Sequence, residues 1–363
     1  MTAESTIRST VVTVDAGLEV LDGSNTLVSD VSTWLDPAKT SVTHRTYAKI
    51  HTTAKVSVAQ ELSWMSQRIR PYITLTGDDG VAVRWDLGVF IMDSPAHKTG
   101  RTPTVWTVEA YDLLTIIDSP PSTSYRVAAG TSYVAEVESI IGTKFGETVG
   151  IDQASAAKTL PADLVWAVSD PQVTWLKIVN DLLDAIGYVG IWVDRDGTFR
   201  SGPYVSRASR SPSWTFDDSR SDTIMGESAT LMQDWFATPN TWVFSRSNPD
   251  PAQTIPVEGD GIYTVVNQSD GPASVDVRGW TKVSKRDVDV ADQASLVAFG
   301  DRVVDDEKAP ATKVSLSCSA CPVLWHLDTV QVSSGALGLS EKRLGVDSWT
   351  LSLDGRMSLE VSG

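Results

Sequence analysis

The sequence predicts a β-rich α+β fold, in which two small antiparallel β-barrel domains carry two inserted α/β domains. Short segments of alternating polar and apolar residues, separated by Gly and Asp turns, fill the first 120 residues and return after residue 206. A strongly amphipathic helix lies between these two strand-rich regions. The 363 residues are 41% hydrophobic and 21% charged, which provides enough apolar side chains for more than one core.

Residues 1–118 are predicted as the first β-barrel domain. Val42–Val58 alternates polar and apolar residues over its whole length, and Val81–Met92 and Val105–Ile117 are further strand-like segments. A Gly/Asp segment at residues 77–80 supplies a turn between two strands. Closely spaced strands joined by such turns favour a small antiparallel barrel.

Residues 119–205 are predicted as the first α/β insertion, which begins with a short helix. Thr131 or Ser132 can cap this helix, and Gly142 is expected to stop it. Its apolar face comprises Val134, Val137, Ile140 and Ile141.

The second helix of this insertion has the clearest pattern in the chain. Asp170 stands at the predicted N-cap position with Pro171 behind it, and Gly187 ends the helix. Residues at helical spacing form one apolar stripe: Trp175, Ile178, Val179, Leu182, Leu183 and Ile186. An Asp-Gly dipeptide at residues 196–197 then predicts a hairpin of two short strands.

The second barrel is predicted in two parts, residues 206–246 and residues 310–363, with the second α/β insertion, residues 247–309, between them. Val290–Val304 is predicted as the helix of this insertion. Its outer face is acidic, and we interpret it as a solvated face rather than a docking surface. The acidic residues are Asp289, Asp292, Asp301, Asp305, Asp306 and Glu307. An Asp-Gly turn at residues 354–355 predicts a C-terminal hairpin.

The charge balance argues against a general binder of duplex DNA. The chain has 30 Lys and Arg against 46 Asp and Glu, a formal net charge of -16, whereas such binders present basic surfaces to the phosphates. No apolar run approaches the roughly 18 residues of a spanning helix. We therefore predict no membrane-spanning segment and, because the first residues lack a basic stretch followed by an apolar one, no export signal.

Cys318 and Cys321 form a Cys-x-x-Cys pair and are the two cysteines of the chain. A redox pair needs a helix N-terminus to lower the pKa of its first thiol, but a strand precedes this pair and Pro322 follows it. With His326 the two thiols could supply three zinc ligands, whereas a structural site needs four. The histidines, scattered along the sequence, form no obvious metal site: His44, His51, His97 and His326. We predict two packed thiols, no metal and no cofactor.

No arrangement of residues in the sequence predicts catalysis. Asp194 opens a segment that superficially resembles a calcium loop, but Gly and Glu do not fall at the positions that such a loop requires. A glycosidase would need two carboxylates in a cleft, whereas the candidate aspartates stand in turn contexts: Asp78, Asp79, Asp196, Asp217, Asp218 and Asp354. The chain lacks the nucleophile-elbow, P-loop, dinucleotide-binding and His-Glu-x-x-His motifs. We therefore predict a protein without catalytic residues that is not an enzyme.

The chain is also rich in tryptophan, with 13 Trp against 8 Tyr and 7 Phe. Large flat rings are favoured in sheet cores and at subunit interfaces, and the core is the favoured interpretation here. The tryptophans in strand-like segments are Trp34, Trp64, Trp85, Trp106, Trp235 and Trp242.

Several short segments follow one another in an order that is typical of one family. Those in the first third are Ile50–Thr53, Leu62–Trp64, Arg68–Tyr72, Leu87–Met92 and Trp106–Leu114, the last with Asp112 before a Leu pair. The helix Trp175–Ile186 with its hairpin Tyr188–Tyr204 comes next, followed by Ser274–Gly279, a helix before Pro310 and Leu324–Val330. In this order they resemble the baseplate hub, or tail-associated, proteins at the tip of bacteriophage tails. Residues 325–328 depart from the pattern, because relatives often have Gly-Asp there.

The resemblance implies a homotrimer whose six barrels, two per subunit, form a pseudo-sixfold ring that closes and extends the tail tube and adapts sixfold to threefold symmetry for genome ejection. Its partners would be the distal tail protein, the tail tube protein, the tape measure protein and tail fibre or spike proteins, with DNA only passing through the lumen. Its place would be the tail tip of the virion, after assembly in the host cytoplasm. Two alternatives stay open: the hub of a contractile tail or injection machine, and a tail protein that binds a receptor or cell-wall glycan.

Overall fold

The structure is a computed structural model that describes residues 3–64, 66–98, 105–246, 257–309 and 312–363. Residues 247 and 310, at which two of the predicted domains begin, lie outside the described residues.

The first strand-rich region divides the predicted segments into shorter strands. Its elements are α1 (Ala3–Ile7), β1 (Thr13–Leu21), β2 (Leu27–Asp30), β3 (Ser41–Arg45), β4 (Thr52–Val58), β5 (Arg68–Thr76), β6 (Ala82–Asp86), β7 (Phe90–Met92), β8 (Ala96–Lys98) and β9 (Val105–Asp112). The alternation at residues 42–58 is two strands rather than one, because the chain turns back after residue 45. β3 and β4 then pair antiparallel, with Val42 opposite Ala54.

The segment Val105–Ile117, predicted as strand-like throughout, ends in a helix instead, α2 (Leu114–Ile117). The elements of the first insertion are β10 (Tyr125–Val127), α3 (Tyr133–Glu138), β11 (Val149–Ile151), β12 (Leu164–Trp166), α4 (Trp175–Asp184), β13 (Trp192–Val193) and β14 (Phe199–Ser201). The sequence predicts the two helices of this insertion well except at their ends. Ser132 caps α3, as predicted, by accepting a hydrogen bond from the Ala135 N–H. Gly142 does not end the helix, because a π-helical turn continues over Ser139–Lys144 and the left-handed residue is Gly146, with φ 72°.

The predicted N-cap of α4 is wrong, whereas its buried face is confirmed. The Thr174 hydroxyl oxygen accepts a hydrogen bond from the Lys177 N–H at 3.2 Å. Asp170 instead accepts from the Gln172 N–H within the preceding turn, at 2.9 Å. Every residue of the predicted stripe is buried, and Gly187 has a φ of 76°, as expected for a residue that ends a helix.

The remaining elements include the second of the two predicted Asp-Gly hairpins, and the structure confirms both. These elements are β15 (Trp214–Asp217), β16 (Met225–Gln233), β17 (Thr241–Arg246), β18 (Val257–Glu258), β19 (Gly261–Val266), α5 (Val275–Arg278), β20 (Val283–Val288), α6 (Gln293–Lys308), β21 (Thr312–Ser319), β22 (Thr329–Ser334), β23 (Leu339–Ser352) and β24 (Arg356–Ser362). Gly197 has a φ of 82° between β13 and β14, and Gly355 has a φ of 95° between β23 and β24.

One sheet of 15 strands joins the two predicted barrel regions. Its main path runs β16-β21-β24-β23-β3-β4-β9-β7-β5-β1-β2, and the two halves meet where β3 pairs antiparallel with β23. A single core lies across both halves and includes Val56 and Ile73 from the first and Trp349 and Leu359 from the second. The β-rich α+β fold is confirmed, but the described strands form no closed barrel, because pairing continues from one half into the other.

β17 belongs to the second insertion rather than to the second barrel, in which it was predicted. It lies in a four-stranded sheet of order β18-β19-β17-β20, and α6 packs on this sheet. Trp242 and Phe244 of β17 form a core with Leu296 and Phe299 of α6. The helix also begins later than predicted, because Asp292 caps it.

Gly300 allows α6 to approach this sheet closely. A Cβ atom at Gly300 would lie 2.7 Å from Tyr263 Cδ1 and 2.9 Å from Phe244 Cδ2. We expect Gly300→Val to lower the free energy of unfolding by about 1–3 kcal/mol, because the helix must move away from the sheet. Urea unfolding measures this, with Ala294→Val at an exposed position of α6 as the control for helix propensity. Equal midpoints for both variants would contradict the close approach.

Candidate functional site

The two cysteines are packed thiols, as predicted. Cys318 lies on β21 and Cys321 follows it, and both are buried and free. The Cys321 N–H points at the Met357 sulfur, 3.4 Å away. Burial raises the pKa of Cys318 to about 12 and raises that of Cys321 well above its ordinary value. Neither thiol is therefore poised for nucleophilic or redox chemistry at neutral pH.

The aspartates considered as candidate glycosidase carboxylates lie at backbone turns instead. Asp78, Asp79, Asp196, Asp218 and Asp354 lie in turns, and Asp217 ends β15. Asp79 and Asp217 each accept a hydrogen bond from the backbone N–H two residues later, at 2.8 and 2.9 Å. Asp194 does the same with the Asp196 N–H at 3.0 Å. The turn interpretation of these residues is confirmed.

Part of the acidic face of α6 is covered by other elements of the chain, contrary to the prediction of a solvated face. Asp301 remains exposed, as does Asp289 before the helix. The Arg207 guanidinium donates to the Asp305 carbonyl at 2.8 Å and to the Asp306 carboxylate at 3.1 Å. Glu307 accepts from the Trp242 indole N–H at 2.8 Å, and Asp301 accepts a hydrogen bond from a tyrosine hydroxyl of the neighbouring sheet. Helical spacing places these carboxylates on one side, but it cannot reveal that other elements of the chain cover that side.

The tryptophans mostly pack in cores, as predicted. Trp64 and Trp242 are buried. Trp34, Trp85 and Trp106 are half-buried and pack against the core of the long sheet, and Trp235 is half-buried.

Asp112, the last residue of the strand that carries the family resemblance, is a buried structural carboxylate. It accepts hydrogen bonds from the Thr52 N–H at 2.7 Å and from the Leu114 N–H at 3.0 Å. Burial raises its pKa to about 7 in spite of these bonds. Asp112 thereby ties together the end of β9, the start of β4 and α2.

The two ends of the long sheet are the candidate assembly surface, which we call the edge surface. It consists of β2 and β16, and neither has a partner on its outer side among the described strands. Leu27 and Val28 of β2 are 52% and 55% exposed, and Met232 of β16 and the nearby Phe236 are 60% and 78% exposed. Unpaired strand edges with exposed apolar side chains are templates for pairing with another chain.

A second feature, which the sequence did not reveal, is a cluster of aromatic rings where the two sheet halves and the first insertion meet. We call it the junction cluster, and it comprises His44, His51, Trp192, Trp325, His326 and Trp349. The His51 and His326 rings stack with their centroids 4.4 Å apart, and His44 lies 5.4 Å from His326. Residues 282 positions apart meet here only because β3 pairs with β23, so no local sequence signal marks the cluster.

Tryptophans from two parts of the chain enclose these histidines. His44 stacks on Trp349, its partner across the strand pair, with centroids 5.7 Å apart. Trp192 of the first insertion stacks on His326 at 5.3 Å. The Trp325 indole N–H donates to the Val193 carbonyl at 3.3 Å. The cluster thus joins three regions through ring contacts.

Within the described residues, no group of three or more His, Cys, Asp or Glu is arranged to hold a metal ion. The described part of the chain also contains no helix that is both long and apolar enough to cross a membrane.

The fold is that of phage tail proteins of known structure. A tail protein from Neisseria meningitidis is 14% identical, with a TM-score of 0.65 over 96% of each chain. The 43 kDa tail protein of prophage MuSo2 from Shewanella oneidensis is 12% identical, with a TM-score of 0.61 over 96% of this chain and 98% of that one.

A chain of the Francisella PdpA–VgrG complex is also similar, at 10% identity and a TM-score of 0.54, over 98% of this chain but only 53% of that one. The sequence itself matches no protein-family model. It also matches no curated protein.

Proposed function

We propose that this chain, which has the fold of solved phage tail proteins, is the structural hub of a bacteriophage tail tip and is not an enzyme. Three copies form a ring that closes and extends the tail tube and adapts its sixfold symmetry to threefold symmetry for genome ejection. Each subunit contributes two strand-rich ring units, one from residues 1–118 and one from the later strands. The similarity of fold over nearly the whole chain supports this proposal.

The observation that carries the ring is the edge surface. β2 and β16 are different strands at opposite ends of one sheet, so the contact of one copy's β2 with the next copy's β16 is head-to-tail. Head-to-tail contacts close into rings when the rotation between copies allows it. Such pairing would cover the exposed apolar residues Leu27, Val28 and Met232 and satisfy the open backbone groups of both edges.

The partners follow from this place in the tail. The distal tail protein and the tail tube protein would contact the ring from above, with the tape measure protein in its bore and fibre or spike proteins below. DNA would only pass through the lumen, whose acidic wall, in a chain of net charge -16, would repel it. The hub would assemble in the host cytoplasm and remain at the tail tip of the virion.

Native mass spectrometry of the purified chain tests the ring. We expect a closed species of three copies, because both edges of every copy are then paired. The trimer should persist on dilution, because each copy is held by contacts on two sides. A chain that stays monomeric at high concentration and is absent from virions would contradict the proposal.

A second candidate is the hub of a contractile tail or injection machine. The similarity to a chain of the Francisella PdpA–VgrG complex favours it, because nearly all of this chain aligns there. Purification of the assembled particle with its partners distinguishes the two: a sheath protein among them supports the contractile machine, and its absence supports the non-contractile tail.

A further inference from the structure

The junction cluster holds three imidazoles with unusual surroundings. His44 is buried, whereas His51 and His326 are half-buried. Each keeps one buried ring nitrogen without a hydrogen-bond partner: His44 Nε2, His51 Nδ1 and His326 Nδ1. The other His44 nitrogen, Nδ1, bonds with the Thr52 hydroxyl at 2.9 Å. A proton added to such a nitrogen creates a cation whose N–H finds no acceptor, which is costly in a packed interior.

The charged groups around the cluster add to this cost. The Arg195 guanidinium lies over the Trp325 ring, 4.6 Å from its centroid, and its charge acts on His44, as that of Arg210 acts on His326. A cavity of about 350 Å³ opens beside His51 and His326 and gives protons a route to them. The other charged groups facing the cavity or the cluster are Arg207, Arg286 and Arg302, and the acids Asp112, Asp184, Asp306, Glu307 and Asp328.

The loop that carries His326 is held in a strained form. Leu327 has a φ of 60°, in the left-handed region that a bulky side chain rarely occupies. The Arg210 guanidinium holds its carbonyl oxygen at 2.6 Å, and Asp328 accepts from the Trp325 N–H at 2.6 Å. These two polar contacts fix the shape of the loop, and the stacking of His326 on Trp192 and the Trp325 indole hydrogen bond to the Val193 carbonyl keep it against the first insertion.

We propose that the junction cluster is a proton-sensitive lock. While its three histidines are neutral, it clamps the loop at residues 320–328 and the first insertion onto the sheet. When the histidines take up protons, the rings separate and the strained loop is released. The lock does not depend on a role in a phage tail.

The direction of the pH effect follows from the pKa values. Burial lowers the pKa of His44 to about 3, that of His51 to about 4 and that of His326 well below its ordinary value. In an unfolded or opened chain, each of these histidines binds a proton near pH 6.5. The clamp is therefore at full strength above about pH 6.5 and weakens as the pH falls toward 4. Asp112 acts in the opposite direction, because its raised pKa of about 7 favours the closed state as the pH falls.

Hydrogen–deuterium exchange of the full chain between pH 7 and pH 4, corrected for the intrinsic pH dependence of exchange, tests the lock. We expect residues 320–328 and 44–52 to lose protection by about tenfold or more below pH 5, since each unit of pKa difference is a tenfold preference. The far-ultraviolet circular dichroism should stay unchanged over this range, because the strands persist.

Two variants make the test specific. His326→Phe and His51→Phe keep an aromatic ring but bind no proton. Each should slow the exchange of residues 320–328 and 44–52 at pH 4 by about tenfold relative to the natural chain. His51 lies on a different segment, directly before β4, so its variant remains informative if His326→Phe fails to fold. His97→Phe, on β8, is the control and should open like the natural chain. The proposal fails if the natural chain stays protected down to pH 4, or if both cluster variants open at the same pH as the control.

Discussion

A variant with Leu27→Lys and Val28→Lys is expected to fold normally and to remain monomeric. Both side chains are more than half exposed on β2, so the folded chain should tolerate the changes. Lysines on an edge strand, however, oppose pairing with another strand, because their charges would be buried in the contact. In native mass spectrometry we expect the trimer signal to disappear, with the urea unfolding midpoint of the chain unchanged.

The matched control is Val165→Lys with Val168→Lys. These valines are 61% and 53% exposed in the first insertion, away from both ends of the long sheet. The control adds the same charge and removes similar apolar surface, so it should still form trimers. If it also prevented assembly, charge rather than the edge would be responsible. If the β2 variant still formed trimers, β2 would not lie in the ring contact.

Replacement of Arg68 by alanine is expected to lower the free energy of unfolding by about 3–5 kcal/mol. Arg68 lies on β5 and binds the Glu147 carboxylate of the first insertion through two hydrogen bonds, of 2.6 and 3.0 Å. It also donates to the Asn25 side chain at 2.8 Å. Both charged side chains are nearly buried, 11% and 7% exposed, so the change leaves a nearly buried carboxylate without its partner.

The double variant Arg68→Met with Glu147→Leu separates loss of the pair from loss of packing. Removal of both charges leaves no buried charge unpaired, and such replacements are often neutral. We expect its unfolding midpoint in urea to lie near that of the natural chain and well above that of Arg68→Ala. If the single and double variants were equally unstable, the packing of these side chains rather than their charges would hold the insertion in place.

Prediction from the sequence is accurate where the determinants are local. The stripe from Trp175 to Ile186, the cap at Ser132 and the glycines of both Asp-Gly hairpins depend on residues within one or two turns of each other. Where two residues near a helix start could cap it, as Asp170 and Thr174 could for α4, the sequence alone selects the wrong one, because the Thr174 hydroxyl oxygen accepts the capping hydrogen bond.

The assignment of strands to sheets and the acidic face of α6 depend on distant residues. β17 alternates like a barrel strand, yet it packs on α6 about 50 residues later. Asp305 and Asp306 look solvated until Arg207 is placed against them, about 100 residues away in the chain. Neither pairing leaves a periodic trace in the sequence, because periodicity reports which side of an element is apolar and not what covers the other side.

The amino-acid sequence by itself determined the β-rich class, the helices, the turns, the packed thiols and the order of segments that resembles tail hub proteins. The tertiary structure alone decided that both halves share one sheet, that its two ends have no further partner among the described strands and that three histidines meet at the junction. The physical reason is range: alternation, capping and turn chemistry act between near neighbours, whereas the β3–β23 pairing brings together residues about 300 positions apart, and only the folded chain specifies that register.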